Sequence, residues 1–527
     1  MGIFHNSRIS GILSSLLIVF AALGAEAAGT RYLVKMKSNE GFRSVKAESI
    51  LAQRQGVGLF GTRAVAQDYL DNLDIMVVES NDRASLALIE AHPDVEAIEQ
   101  EKFFEIPRVE WPTPQSWSLN DYRQQDLTWG LEAVKAAEAW QTTKGAGIRV
   151  MVLDSGIDQN HPDLVNRFKK ARSFTGATFD DKIGHGTHVS GTILADGAES
   201  GLMGVAPEAK LLMGKVCDTS CSSVGITQGV NWAIEEKVDV VNMSLGGPFM
   251  FETQVYEKAE QANIVIVAAA GNNGKGNLSY PAALPSTLAV GAVNPDLTRA
   301  EFSQYGRLLD VMAPGVNVFS TVPVGMGREA LVKVDLGEGF EQVLSAGFQN
   351  SNPGDGVTTG ELVFAGLGKP QDFQGNKTTG KIALIERGEI TFQEKVTAAQ
   401  NAGATGVVIF NNESGIVNGG LDSSTPLPVM MIEQSVGQAI LQKLNQGESV
   451  SAELSIAASN YSAFSGTSMA SPHTAGVVAL VRAANKNLNA VQVKNLMRDT
   501  ATPLLPNPNN QMGRGLIDAA KAVEAAL

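Results

Sequence analysis

Three short segments of this 527-residue chain hold residue types that together suit nucleophilic catalysis. Asp154-Ser155-Gly156-Ile157-Asp158 follows an apolar run over 148–153 that reads as a strand, which puts Asp154 at a strand's carboxyl end. Gly184-His185-Gly186-Thr187-His188-Val189-Ser190-Gly191 opens a helix whose small residues permit close packing. Gly466-Thr467-Ser468-Met469-Ala470-Ser471-Pro472-His473 opens another, placing Ser468 at a helix N-terminus, where free N–H groups and the dipole favour a developing negative charge. A serine nucleophile needs a base to take its proton and a carboxylate to orient that base. Of the six histidines, His5 falls in an N-terminal leader and His92 in a unit ahead of a proline-rich linker. His161, followed by Pro162 and Asp163, reads as a surface turn. His188 lies one turn deeper than His185 on the same side of its helix, and His473 lies on a different face from Ser468. His185, at the mouth of its helix, is left as the base. A fourth segment, Ala268-Ala269-Ala270-Gly271-Asn272-Asn273-Gly274, follows another apolar run, and an Asn amide there can donate to an oxyanion beside the Ser468 N–H.

In their Asp, His, Ser chain order these blocks, DSGID, GHGTHVSG and GTSMASPH, resemble those of the subtilisin-like serine peptidases over roughly 125–321 and 461–527. The resemblance implies that Ser468 attacks a peptide carbonyl, His185 serves as base and then acid, Asp154 orients His185, and Asn272 holds the oxyanion with the Ser468 amide. Ser244, Leu245 and Gly246 would pair their backbone with the substrate strand. Ala269, Ala270 and Gly271 would wall the pocket for the residue before the cut, with Ser279 near its base. None of these is acidic, so a broad or apolar preference is expected. The resemblance also implies a calcium site using Gln125, Asp163 and the loop 196–202. Ala198 stands where a side-chain amide ligand is usual, which leaves open a weakened site, one reshaped by Asp196 or Glu199, or none. No cofactor is expected for catalysis.

The elements that must position these residues form an α/β pattern. Apolar runs at 148–153, 211–216, 238–243, 264–269, 288–293 and 309–312 are near-continuous rather than alternating, as in strands buried on both faces. Helical segments at 226–236 and 253–262 lie among them, which predicts a doubly wound, mostly parallel sheet flanked by helices. Residues 109–323 and 454–527 are assigned to this domain. Between them, 324–453 is rich in Gly, Asn and Thr and has strand–helix units of its own, too long for a loop. It resembles a protease-associated domain, most clearly in GKIALIERGEITFQEKVTAAQNAGATGVVIFNN, and is expected to shape substrate access. Residues 28–108 read as a small α+β unit resembling the family's inhibitory pro-segment, with removal expected between about 101 and 114.

Residues 1–27 read as a signal peptide: Arg8, an apolar run over 12–23 too short to span a bilayer, and Ala25-Glu26-Ala27 as the cleavage pattern. A secreted, monomeric peptidase acting on polypeptides is therefore expected, with its own pro-segment as inhibitor and no membrane segment in the mature form. The balance of 41 basic against 55 acidic residues, net −14, argues against a nucleic-acid partner. Cys217 and Cys221 read as a disulfide in an exported chain, because a metal pair would need two further ligands. An esterase would use the same triad, but Gly-Thr-Ser-Met-Ala is not the Gly-x-Ser-x-Gly elbow. A non-catalytic binding scaffold has no need to keep Asp154, His185, Ser468 and Asn272 together.

Overall fold

The computed structural model describes residues 29–105, 129–248, 253–343, 345–351, 356–375, 377–413, 420–505 and 510–527. The leader, Gln125 and most of the linker lie outside them. The described chain divides into two units, residues 1–101 and 102–527.

In the first unit, strands β1 (Arg31–Met36), β2 (Val65–Leu70), β3 (Ile75–Glu79) and β4 (Val95–Gln100) form an antiparallel sheet in the order β2-β3-β1-β4. The helices Asn39–Arg54 and Arg83–Glu90 start on Ser38 and Asp82, whose side chains accept backbone N–H groups of the first turn. This is the α+β unit expected from the sequence.

The second unit begins with β5 (Phe103–Glu105) and is built on seven parallel strands. These are β6 (Arg149–Asp154), β7 (Phe168–Ser173), β8 (Lys210–Lys215), β10 (Val240–Met243), β11 (Val265–Ala269), β12 (Thr287–Val293) and β13 (Val311–Pro314); a short strand β9 (Ser220–Ser222) follows β8 outside the sheet. The sheet order is β13-β12-β11-β10-β6-β8-β7. From β6 the chain passes to the edge strand β7 and returns inward to β8 on one side, then crosses to β10 and works outward to β13 on the other. The switch point therefore lies between β6 and β10, where open α/β sheets place their ligand crevice, beyond the carboxyl ends. Asp154 is the last residue of β6, and Ser244 follows the last residue of β10. β6, β10, β11 and β12 are buried along almost their whole length because helices cover both faces. β7, with the sequence FKKARS, is a polar edge strand that the apolar pattern did not reveal.

The helices His185–Leu194 and Thr467–Ala484 pack against each other, the first buried throughout and the second over most of its length. His188 and His473 belong to this packing. His188 Nε2 faces the carbonyls of Val318 and Ser462 at 2.9 and 3.2 Å, and its ring stacks on Phe464. His473 Nδ1 lies 2.8 Å from the Met469 carbonyl. Burial pushes their pKa values down to about 3 and about 4. Both are thus neutral when folded and take up protons near 6.5 when unfolded. Stability contributed by this neutrality is full above pH 6.5 and is lost as pH falls toward 4 and then 3, at about 1.4 kcal/mol per pH unit per group. Denaturation at pH 5 is expected to take up about one proton fewer in His188→Gln and in His473→Gln than in the parent, all in a Ser468→Ala background to prevent self-digestion. Unchanged uptake would show that these rings titrate normally.

The neck of the insertion is the antiparallel pair β14 (Val318–Thr321) and β25 (Tyr461–Phe464). Beyond it, β15 (Gly327–Asp335), β16 (Phe340–Val343), β17 (Ser345–Gly347), β19 (Thr358–Phe364), β20 (Ile382–Glu386), β21 (Gly406–Phe410), β23 (Val429–Ile432) and β24 (Ser451–Ser459) form one eight-stranded sheet, with β18 (Gln349–Ser351) and β22 (Gly420–Thr425) paired beside it. β24 pairs with β15 from Ser451 to Ser459, so the insertion runs past the expected boundary at 453 to the neck itself. Alternation of small and apolar residues in β24 continues into the resumed domain, and only the pairing reveals where one sheet ends.

Candidate active site

Asp154 and His185 meet beyond the carboxyl end of β6, and Asn272 meets the start of the Ser468 helix beyond the ends of β10 and β11. Asp154 Oδ1 lies 2.7 Å from His185 Nδ1 and also accepts the Ser155 N–H at 2.7 Å. Both triad side chains are buried, at 1–2 % exposure. A carboxylate against Nδ1 makes that nitrogen the donor and leaves Nε2 as the free base. His185 Nε2 has no hydrogen-bond partner among the described residues. Burial opposes charge on this imidazole, but the Asp154 carboxylate, helped by that of Asp181, outweighs burial and raises its pKa above the ordinary value.

Asp181 was not foreseen from sequence. Its carboxylate accepts from Ser155 Oγ (2.9 Å), Ile183 N (3.1 Å), Gly184 N (2.8 Å), Thr187 N (2.8 Å) and Thr187 Oγ1 (2.7 Å). It thereby ties the residue after Asp154 to the first turn of the helix that carries His185.

Ser468 is 2 % exposed. Its hydroxyl donates to the Ser244 carbonyl at 3.0 Å, and Ser244 Oγ donates back to the Ser468 carbonyl at 2.7 Å. Here the hydroxyl's partner is the Ser244 carbonyl rather than His185, consistent with substrate-free sites, where catalytic hydrogen bonds tighten only around the reacting group. Asn242 holds the pair from behind: Nδ2 donates to Ser244 Oγ (3.0 Å) and Oδ1 accepts from Ser471 Oγ (2.8 Å).

Asn272 is fixed by one end only. Oδ1 accepts from Thr467 N and Thr467 Oγ1 at 2.9 and 2.8 Å, whereas Nδ2 is buried with no partner among the described residues. A Cβ built on Gly466 would sit 3.1 Å from that Nδ2 and 3.6 Å from Ser468 N. Glycine at 466 therefore leaves open the space shared by two N–H donors, a geometry suited to an oxyanion.

The expected pocket walls also converge. Gly247 and Tyr280 exchange backbone hydrogen bonds at 3.0 and 2.9 Å, and Ser279 N donates to the Ala270 carbonyl at 2.9 Å. Ala269 and Ala270 are buried. A side chain at Gly271 would meet Gln304 Oε1 and Ser279 Oγ within 2.5 Å. Gln304, missed in the sequence reading, thus lies beside Ser279 at the pocket's base. β9 was also missed. Phe103, Phe104 and Glu105 pair antiparallel with Ser222, Cys221 and Ser220, so an extended segment of this chain lies on that edge. Cys217 and Cys221 are joined by a disulfide, as expected.

His161 corrects an expectation. It is fully buried rather than at the surface: Nε2 lies 3.0 Å from the Asn460 carbonyl, Nδ1 accepts the Asp163 N–H, and the ring meets Tyr461 edge-on. The return strand of the insertion covers the turn, which no local pattern could show. Asp163 is buried beside it. Its Oδ1 accepts from Glu199 N (2.6 Å) and its Oδ2 from Ser200 Oγ and Tyr461 Oη, both at 2.8 Å. These protein donors already satisfy the carboxylate proposed as a calcium ligand, and Ala198 adds no side-chain oxygen. Among the described residues no group of three or more His, Cys, Asp or Glu side chains is arranged to hold a metal ion. Gln125 lies outside the described residues.

The profile of the subtilase family matches residues 145–352 and 405–515, and that of the PA domain matches 358–440. The chain is 45% identical over 213 residues to subtilisin E of Bacillus subtilis (strain 168), covering 38% of this chain and 55% of that protein. It is 34% identical over 322 residues to an alkaline protease of Alkalihalobacillus alcalophilus, covering 57% of this chain and 82% of that protein. The chain spans between about half and two-thirds of the length of the first curated relatives it matches. Among solved structures it resembles the psychrophilic subtilisin-like protease Apa1 of the Antarctic psychrotroph Pseudoalteromonas sp. AS-11, with a TM-score of 0.53 and 28% identity, covering 75% of this chain and 96% of that one.

Proposed function

Because the chain belongs to the subtilase family, we propose that it is a secreted serine endopeptidase made as a self-processing zymogen. The observation that carries this reading is the pair of buried nitrogens, His185 Nε2 and Asn272 Nδ2, that have no partner among the described residues, in a site whose serine is held at a helix N-terminus. In this reading Ser468 Oγ attacks the carbonyl carbon of the scissile bond while its proton passes to His185 Nε2. The imidazolium is stabilised by the Asp154 carboxylate on Nδ1. The carbonyl oxygen, now negative, accepts from Asn272 Nδ2 and Ser468 N. His185 returns the proton to the leaving amine, and a water activated by the same Nε2 hydrolyses the acyl-enzyme.

The pairing of Phe103–Glu105 with β9 supports self-processing with a cut downstream of Glu105, because an extended chain added to a strand edge is a common way for a protein to hold a peptide. The absence of acidic side chains among Ala269, Ala270, Gly271, Ser279 and Gln304 supports an apolar or mid-sized preference before the cut. No helix among the described residues is long and apolar enough to cross a membrane. The test is incubation of the purified protein with casein, with and without a serine-directed phosphonate. Casein breakdown blocked by the phosphonate is expected; hydrolysis of simple esters with casein left intact would overturn the peptidase reading.

The base works only when neutral, and its folded pKa is raised. The acid limb of kcat/KM is therefore expected above pH 6.5, and Asp181→Asn is expected to shift it to lower pH by removing one of the two charges that raise it. A limb unmoved by Asp181→Asn would mean that this carboxylate acts only through the loop's geometry.

A further inference from the structure

Cys217 and Cys221 sit in the hairpin that follows β8 and carries β9, the strand paired with β5. Val216 N and Cys217 N both donate to the carbonyl of Asp154, at 2.9 and 3.2 Å. The chain then turns back: Asp218 N donates to Ser220 O and Ser222 N to Val216 O, each at 3.0 Å, and Cys217 bridges Cys221 in antiparallel register. The next residue, Ser222, caps the helix Ser223–Glu235 by accepting from Gly225 N at 2.9 Å. β9 is thus a three-residue strand with its own hairpin on one edge and Phe103–Glu105 on the other. Phe104 is 3 % exposed, and a Cβ on Gly247 would lie 2.2 Å from its ring, so only glycine at 247 leaves room for it.

We propose that the Cys217–Cys221 disulfide is a positioning element for extended peptide chains: it fixes β9 against the triad strand so that a substrate backbone finds the edge already formed. The inference rests on the proposal that β9 receives substrate as it receives Phe103–Glu105. Two features favour positioning over general stapling. The bridge spans only four positions, so it removes little entropy from the unfolded chain. Three residues also make too few hydrogen bonds to hold a strand alone, so an unclamped β9 must be ordered at each binding event, at the expense of affinity.

The test is Cys217→Ala/Cys221→Ala, with active sites counted by phosphonate titration. Removing the bridge is expected to raise KM for a hexapeptide about tenfold, equivalent to roughly 1.4 kcal/mol, with kcat within about twofold and hydrolysis of p-nitrophenyl acetate unchanged. Equal losses on hexapeptide and ester, or an unchanged hexapeptide KM, would overturn the proposal. A parent that cleaves no peptide at all would overturn the peptidase reading itself, a distinguishable failure. Should the double variant fail to mature, hydrogen exchange in the full-length Ser468→Ala chain answers the same question. Amides of Phe103–Glu105 and Ser220–Ser222 are expected to exchange about tenfold faster without the bridge, those of β10 and β11 at the parent rate. Exchange unchanged at β5 and β9 would overturn the proposal.

Discussion

Replacing Ser468 with alanine is expected to abolish proteolysis and leave the chain at full length. In the proposed mechanism Ser468 forms the acyl bond, and the neighbouring hydroxyls of Ser244, Ser471 and Thr467 are directed to the Ser468 carbonyl, to Asn242 and to Asn272. Removing the Ser468 hydroxyl leaves His185 and Asp154 as a base with nothing to deprotonate except water. The expected fall in kcat is roughly 10⁶-fold, a magnitude measured for the nucleophile of a subtilisin and carried over rather than derived from this geometry. Folding should survive, because the hydroxyl makes one hydrogen bond, to Ser244 O, and that carbonyl is the only partner left short. The measurement is casein turnover together with the mass of the purified chain. Residual cutting at more than about one part in 10⁴ of the parent rate, well above the expected floor, would assign the nucleophile elsewhere.

The second large effect is expected at the oxyanion position. Asn272→Ala should lower kcat by about 10²–10³ while KM changes little, because the lost donor acts on charge that exists only in the transition state; this range too was measured on a subtilisin. Asn272 has a second task, since its Oδ1 accepts from Thr467 N and Oγ1. Thr467→Val separates the two, deleting the hydroxyl bonds to Asn272 and from Gly271 N while keeping the donor at Nδ2. A small effect there, within about threefold, would leave the loss with the amide; an effect as large as that of Asn272→Ala would assign it to loop position. Gly466→Ala should reproduce the kcat loss without removing any donor, because the methyl would occupy the space 3.1 Å from Asn272 Nδ2.

The parallel sheet was legible because its central strands are buried on both faces, and such strands must be apolar at consecutive positions. β7 and β2 were not, since each carries charged or polar residues at positions facing solvent. The candidate site residues were legible through short blocks in which neighbours in sequence are neighbours in space. Asp181 escaped because four of its five hydrogen bonds are local, to Ile183, Gly184 and Thr187, and the one that ties it to the Asp154 loop, from Ser155 Oγ, depends on how β6 and the His185 helix pack. β9 escaped for a related reason: a three-residue strand has no period, and its partners are supplied by a hairpin and by a distant segment.

By itself, then, the sequence determined the residue types available for chemistry, the order of the elements that carry them and the interruption by a second domain. These are local properties, written in composition, periodicity and adjacency. Tertiary structure alone decided which polar atoms were left free and which were satisfied. It buried His161 beneath Tyr461, closed Asp163 with protein donors, and left one nitrogen each on His185 and Asn272 without a partner among the described residues. The physical reason is that hydrogen-bond satisfaction is a property of space: the partners that cover His161, close Asp163, orient His185 and hold Asn272 lie tens to hundreds of residues away along the chain.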